Sequence, residues 1–212
     1  MQIILCDLRE DIVEAWQLAF YDQAKYPNID IYHGSIFNVD CDALVSPANS
    51  YGFMDGGIDM AISRHFGWHV QDRVQEAIRT RHHGELLVGA ADIVATDDAY
   101  IPYVISAPTM RVPMLLGKES VAPYLATRAV LLLMKHGTIP GTTTPISDVV
   151  HQVAFPGMGT GVGMFPPKYC AKQMKKAVDD VVLEKFKFPS SWLDASAQDQ
   201  LLYGDSYRYI KY

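Results

Sequence analysis

The run Phe155-Pro156-Gly157-Met158-Gly159-Thr160-Gly161-Val162-Gly163-Met164-Phe165-Pro166 carries four glycines at every second position. Without a Cβ, successive backbone N–H groups can turn to one side and form a concave nest for an anion. A helix opening at Pro166-Pro167 would add the positive end of its dipole to the attraction for a phosphate. The spacing matches neither common nucleotide motif. A dinucleotide fingerprint needs G-x-G-x-x-G and a P-loop ends in G-K-[ST], whereas Met164 and Phe165 follow Gly163 and Lys168 comes too late. Taken alone, the run suits a loose strand-to-helix turn, in which glycine only relieves crowding, slightly better than a phosphate site.

A second loop of the same kind shifts that balance. Asp42-Ala43-Leu44-Val45-Ser46-Pro47-Ala48-Asn49 reads as a short buried strand entering a polar bend. Ser50 to Asp59 then brings Gly52, Gly56 and Gly57 ahead of a helical run from Met60 to Phe66. In open α/β sheets such loops lie beyond the carboxyl ends of the strands, where ligands bind. If the two strands are parallel neighbours, both loops face one cleft.

Hydrophobic periodicity supplies the elements that must hold these loops. Strands are expected at Gln2–Cys6, Ile29–His33, Ala43–Ser46, Leu86–Ala95, Tyr103–Ala107 and Val149–Phe155. Helices are expected at Glu10–Gln23, Asp59–Phe66, Val70–Arg79, Val121–Lys135 (with Gly137 as its stop) and Lys168–Lys185. Strands alternating with helices predict a sheet covered on both faces, hence three layers. Beyond Phe186 the periodicity fails. Phe186, Phe188, Trp192, Tyr203, Tyr207, Tyr209 and Tyr212 stand in polar, turn-rich sequence there, and so many aromatics predict a tail packed back on the body.

Composition bounds the function classes. A chain of 212 residues with 49% hydrophobic and 20% charged residues is long enough for one substantial core. A net charge of −6 argues against broad nucleic-acid binding or adhesion to an anionic membrane. It also requires any phosphate site to work through local dipoles. The longest unbroken apolar run, Ala129 to Met134, is too short to span a bilayer, and Met1 to Glu10 has no signal-like apolar region. Cys6, Cys41 and Cys170 suggest neither a disulfide framework nor a zinc site, so buried thiols in a cytoplasmic protein are expected.

The two loops resemble the macro domain family. Asp42 to Asn49, with Gly56-Gly57-Ile58-Asp59-Met60-Ala61-Ile62, is similar to its D-A-I-V-N-A-A-N…G-G-G-V-D-x-A-I signature. Ala154 to Val162 is similar to A-F-P-x-I-S-T-G-I, Tyr103 to Pro108 to its Y-V-I-H-T-V-G-P strand, and Gly84-Glu85 to a short T-G-E turn. The likeness runs from about Gly34 to about Val182 with four motifs in order. It implies a three-layer α/β/α macro-like fold around a central mixed, mostly parallel sheet. The domain would occupy residues 1–186, with the strand and helix of residues 1–27 included and the tail 187–212 packed on it.

The resemblance implies binding of ADP-ribose, a related derivative or an ADP-ribosylated protein, and hydrolysis of an ADP-ribosyl linkage or of a group on the ribose, with no cofactor and no metal. It places Ser35, Ile36, Ala48, Asn49, Gly56, Gly57 and Ile58 on one side of the ligand. Gly157, Gly159, Thr160, Gly161, Val162, Gly163, Met164 and Phe165 would lie on the other. Asn49, a common turn residue in its own right, would contact hydroxyls of the distal ribose. Asp59, well placed for a helix dipole, would orient or activate water at the anomeric carbon in hydrolysis of an ADP-ribosyl linkage. A non-catalytic reader and an assembly protein that has lost nucleotide binding are the alternatives.

Three departures from the pattern matter. The adenine-reading acid of the family's G-D-I-T turn is Ser35, the first Asn of N-A-A-N is Ser46, and Gly163 replaces a bulky Tyr that closes over the ligand. A neutral hydroxyl at Ser35 implies weak discrimination between adenine and hypoxanthine. Asp55 is expected in a solvent-facing turn and Arg111 on the surface. His65 and His69, four apart across Gly67, are expected at the surface or an interface rather than on a metal.

Overall fold

The computed structural model describes residues 1–203. Its strands are β1 (Gln2–Asp7), β2 (Ile29–His33), β3 (Ala43–Ser46), β4 (Asp92–Ala95), β5 (Tyr103–Ser106) and β6 (Gln152–Phe155). Its helices are α1 (Glu10–Ala19), α2 (Gly57–Phe66), α3 (His69–Arg81), α4 (Ala122–His136), α5 (Pro167–Val181) and α6 (Trp192–Gln200). The strands form one sheet in the order β2-β1-β6-β3-β5-β4, parallel throughout except for the antiparallel edge strand β4. The three layers are those the sequence pattern predicts, and the mixed, mostly parallel sheet is the one the resemblance implies.

Alternation along each strand divides the core between the two faces. Ile3 and Leu5 of β1, Val45 of β3, and Val153 and Phe155 of β6 pack with Trp16 of α1, Val130 of α4 and Met174 of α5. Ile4 and Cys6, Leu44 and Ala154 face the other way, toward Ile62 of α2 and Val70 and Val74 of α3. No helix of the described residues is long and apolar enough to cross a membrane.

Several boundaries differ from the periodicity. Helix α1 stops at Ala19, because Tyr26 packs edge-on against Phe20 with ring centroids 5.1 Å apart and turns the chain toward β2. Of the β-rich run Leu86–Ala95, only Asp92–Ala95 pairs in the sheet. Leu86 is instead buried and its N–H donates to the Ser50 carbonyl at 2.9 Å, so the segment covers the β3–α2 connection. Strand β6 is shortened at its start by a 3-10 turn at Ile146–Asp148.

The C-terminal segment forms α6, started by Ser191 Oγ accepting from the Asp194 N–H. Phe186, Phe188 and Trp192 are exposed, whereas Leu202 and Tyr203 are buried; Tyr207, Tyr209 and Tyr212 lie outside the described residues. The attachment runs through Gln173 of α5, which is fully buried. Its Oε1 accepts from the Tyr124 N–H at 3.1 Å, and its Nε2 donates to the carbonyls of Ser120 at 2.8 Å and Leu202 at 3.0 Å. Lys172 Nζ reaches the Tyr203 carbonyl at 3.0 Å. Gln173→Ala removes all three amide bonds and strands partners that are buried at Leu202 and partly buried at Ser120 and Tyr124, so unfolding free energy should fall by about 1–3 kcal/mol. A lowered urea midpoint with unchanged slope checks this, and an unchanged midpoint refutes it.

Candidate functional site

The carboxyl ends of the parallel strands β1, β6, β3 and β5 stand side by side, and the loops that leave them wall a cleft of about 390 Å³. That volume lies within the range of small-molecule sites. The two glycine-bearing loops do face one another, because β3 and β6 pair in parallel through Ala43 with Val153 and Leu44 with Ala154.

The floor is fixed from β1. Leu5 pairs with Phe155, so Asp7, two residues further on, stands beside Gly157. Asp7 Oδ2 accepts from the Gly157 N–H at 3.0 Å, and Oδ1 from the Arg9 N–H at 3.0 Å. The Asp7 carbonyl accepts from the Gly34 N–H at 2.9 Å, tying in the turn that carries Ser35. From the β1–α1 loop, Arg9 Nη1 donates to the Thr160 carbonyl at 2.6 Å across the mouth.

The four glycines of the β6–α5 loop have different reasons to be glycine. A Cβ on Gly157 would lie 2.4 Å from Thr160 Oγ1, and one on Gly163 would lie 2.5 Å from the Gly159 carbonyl oxygen. Gly159 adopts φ +73°, a left-handed conformation, with Leu116 close by. Gly161 alone has neither reason: a Cβ there meets no atom within 4 Å, and it lines the cleft. The loop is closed by the Phe165 N–H on the Gly159 carbonyl at 3.0 Å and the Leu116 N–H on the Gly163 carbonyl at 2.7 Å. Among the described residues, no acceptor bonds the N–H groups of Gly159, Gly161, Val162 and Gly163.

On the facing wall, Asp59 stands in the first turn of α2 and is buried at 8% exposure. Ser46, the last residue of β3, donates its hydroxyl to Asp59 Oδ1 at 2.5 Å. Burial pushes the Asp59 carboxyl up to about 7; the Ser46 bond opposes that rise and the charge of Asp55 adds to it. Asn49 is occupied within its own loop. Its Oδ1 accepts from the N–H groups of Tyr51 and Phe53 at 3.2 and 3.3 Å, and its Nδ2 donates to the Phe53 carbonyl at 2.8 Å.

At the other end, Ser35 Oγ accepts from the Phe37 N–H at 3.4 Å, capping the 3-10 turn Ile36–Asn38. The ring of Phe37 stacks on His65 with centroids 4.3 Å apart.

The cleft thus gathers Ser35, Ile36, Ala48, Asn49, Asp55, Gly56, Gly57, Ile58, Asp59, Gly157, Gly159, Thr160, Gly161, Val162 and Gly163. Met164 and Phe165 are not in its wall. Met164 is exposed at the turn with φ +50°, and the Phe165 ring is buried in the core behind the loop. Arg111 is held outside by Glu85 through bonds of 2.6 and 3.3 Å. His69 Nε2 bonds the Thr96 carbonyl at 2.9 Å. Periodicity reasoning misses Asp7 and Arg9, since nothing local marks β1 as the neighbour of β6.

Comparison with known proteins gives a consistent family. The Macro domain model matches residues 45–174. An uncharacterized protein of Aquifex aeolicus is 34% identical over 151 residues, covering 71% of this chain and 81% of its own length. One from Thermoplasma volcanium is 29% identical over 160 residues, covering 74% and 78%. Among solved structures, the Oceanobacillus iheyensis macrodomain with ADP superposes with a TM-score of 0.57 at 20% identity, over 80% of this chain and 86% of that one. A variant of it with ADPR gives 0.58 at 19% identity, over 80% and 88%. The macrodomain of Mycobacterium tuberculosis DarG gives 0.56 at 19%, over 69% and 87%. At these identities the structural likeness is one of fold.

The raised Asp59 carboxyl has a stability consequence. An unfolded aspartate ionises near 3.8 and the folded one near 7, so across that interval the unfolded chain holds fewer protons and Asp59 destabilises the fold progressively as pH rises. The penalty is absent below the interval and complete above it. Thermal unfolding of the wild type minus that of Asp59→Asn should therefore decline from pH 4 to about 7 and then level off. A pH-independent difference would refute a raised carboxyl.

Proposed function

This chain belongs to the Macro domain family, and on that basis we propose that the cleft binds ADP-ribose and that Asp59 promotes hydrolysis at its distal ribose. The observation that carries the reading is Gly161. Packing leaves that position free to hold a side chain, yet it is bare where it borders the cleft beside N–H groups without protein acceptors. A pyrophosphate fits that chemistry, because each bare N–H supplies a donor without carrying a counter-charge.

Asp59 suits the chemical step. Its Oδ1 is oriented by Ser46, while Oδ2 bonds no donor among the described residues. An ionised carboxylate at the wall can accept a proton from water attacking the anomeric carbon, and its charge stabilises the oxocarbenium character that develops there. An ADP-ribosylated protein would present its modified side chain at the same point. The alternative, a reader without turnover, is favoured by Asn49, whose amide is largely spent on its own loop and keeps one N–H for a ribose hydroxyl.

Calorimetry with ADP-ribose should give a micromolar dissociation constant, about −8 kcal/mol. Gly161→Glu should keep the circular dichroism of the wild type, since its side chain meets open space, but lose binding because a carboxylate enters the nest. Unchanged binding by that variant would place the phosphate elsewhere.

Turnover separates enzyme from reader. With an ADP-ribosylated protein as substrate, release of ADP-ribose should rise with pH through about 7 as Asp59 ionises. Asp59→Asn should lower kcat about a hundredfold or more with ligand affinity little changed. Wild-type protein that binds but never releases ADP-ribose would leave the reader.

A further inference from the structure

The cleft is poor in positive charge. Among the described residues that line it, Asp7, Asp55 and Asp59 are acidic, and Arg9 is the single cationic side chain. The chain as a whole carries a net charge of −6. A pyrophosphate brought here approaches carboxylates with bare N–H groups as its other attraction.

Arg9 is built to answer that. It leaves β1 two residues after Asp7, whose carboxylate fixes its backbone N–H. Asp11 holds one edge of the guanidinium through Nε at 3.1 Å and Nη2 at 2.5 Å. Nη1 donates to the carbonyl of Thr160, the residue between Gly159 and Gly161, at 2.6 Å. Of the five N–H donors of an arginine, these bonds use three and leave one on each Nη. The charge is therefore held in a set orientation within one hydrogen bond of the centre of the glycine nest, with donors to spare.

We propose that Arg9 is a phosphate-binding residue, its guanidinium reaching from the β1–α1 loop to neutralise the pyrophosphate that the nest cradles. This rests on the ADP-ribose reading above and names the charge that reading lacks. The planar fork matters as well as the charge, since two phosphate oxygens match two parallel N–H groups. The contact with Thr160 supports the site before the ligand arrives, and the spare Nη donors meet the ligand.

The test compares Arg9→Gln and Arg9→Lys with the wild type by titration with ADP-ribose and with adenosine, the latter followed by ligand-observed NMR. Arg9→Gln should weaken ADP-ribose about ten- to a hundredfold and leave adenosine unchanged, and its affinity should lose part of the wild type's dependence on salt. Arg9→Lys should fall between the two. Equal affinity of Arg9→Gln and wild type for ADP-ribose would overturn the proposal while leaving the binding site intact. An equal loss for adenosine would also overturn it, assigning Arg9 only to holding the Thr160 carbonyl. Failure of the wild type to bind ADP-ribose would overturn both this proposal and the reading beneath it.

Discussion

Asp7 ends the first strand and stands where three loops meet, and its oxygens decide whether those loops form one surface. Its carboxylate accepts from Gly157 and from Arg9, and its carbonyl accepts from Gly34. A charged acceptor on a backbone N–H contributes about 1.5–3 kcal/mol, enough to set loop geometry in a fold whose margin is small. The start of the glycine nest, the stem of the arginine and the turn that carries Ser35 are therefore positioned by one side chain. That is possible only because parallel pairing of β1 with both β2 and β6 brings their carboxyl ends level.

Across the cleft the chemistry is of the opposite sign. Ser46 and Asp59 form a buried pair, in which a hydroxyl donates to a carboxyl that burial keeps reluctant to ionise. The nest side offers N–H groups and a guanidinium, and the α2 side offers a carboxyl near neutrality. A ligand with an anionic middle and an electrophilic end suits that polarity in one orientation. At the end of β3, Ser46 supplies Asp59 with a hydroxyl donor at short range.

What could be read from the sequence was what is local. The two glycine loops, their strands and the helices after them are recognisable from spacing, and Asn49 and Asp59 belong to the motifs that carry the family resemblance. What depended on distant pairing was not readable. Asp7 and Arg9 are ordinary residues until β6, about 150 residues later, lies beside them. Contiguity also misled at Met164 and Phe165, where the loop has already turned away and an aromatic ring gains more from the core than from the cleft. Leu86 to Ala91 has strand-like composition, yet it stays out of the sheet: Leu86 is buried over the neighbouring loop while Leu87 points to solvent.

Strand β6 occupies the slot between β1 and β3, and this has a consequence for how the molecule is made. A chain synthesised from its N-terminus presents two strands with open facing edges until residues 152–155 arrive to bridge them. Such a late, long-range insertion is slow relative to local contacts, and the exposed edges invite association with other chains meanwhile. The same insertion delivers the glycine nest to Asp7 and Arg9. Completion of the sheet and assembly of the cleft are thus a single event, so a partly made chain that stops short of β6 has neither protected edges nor the cleft.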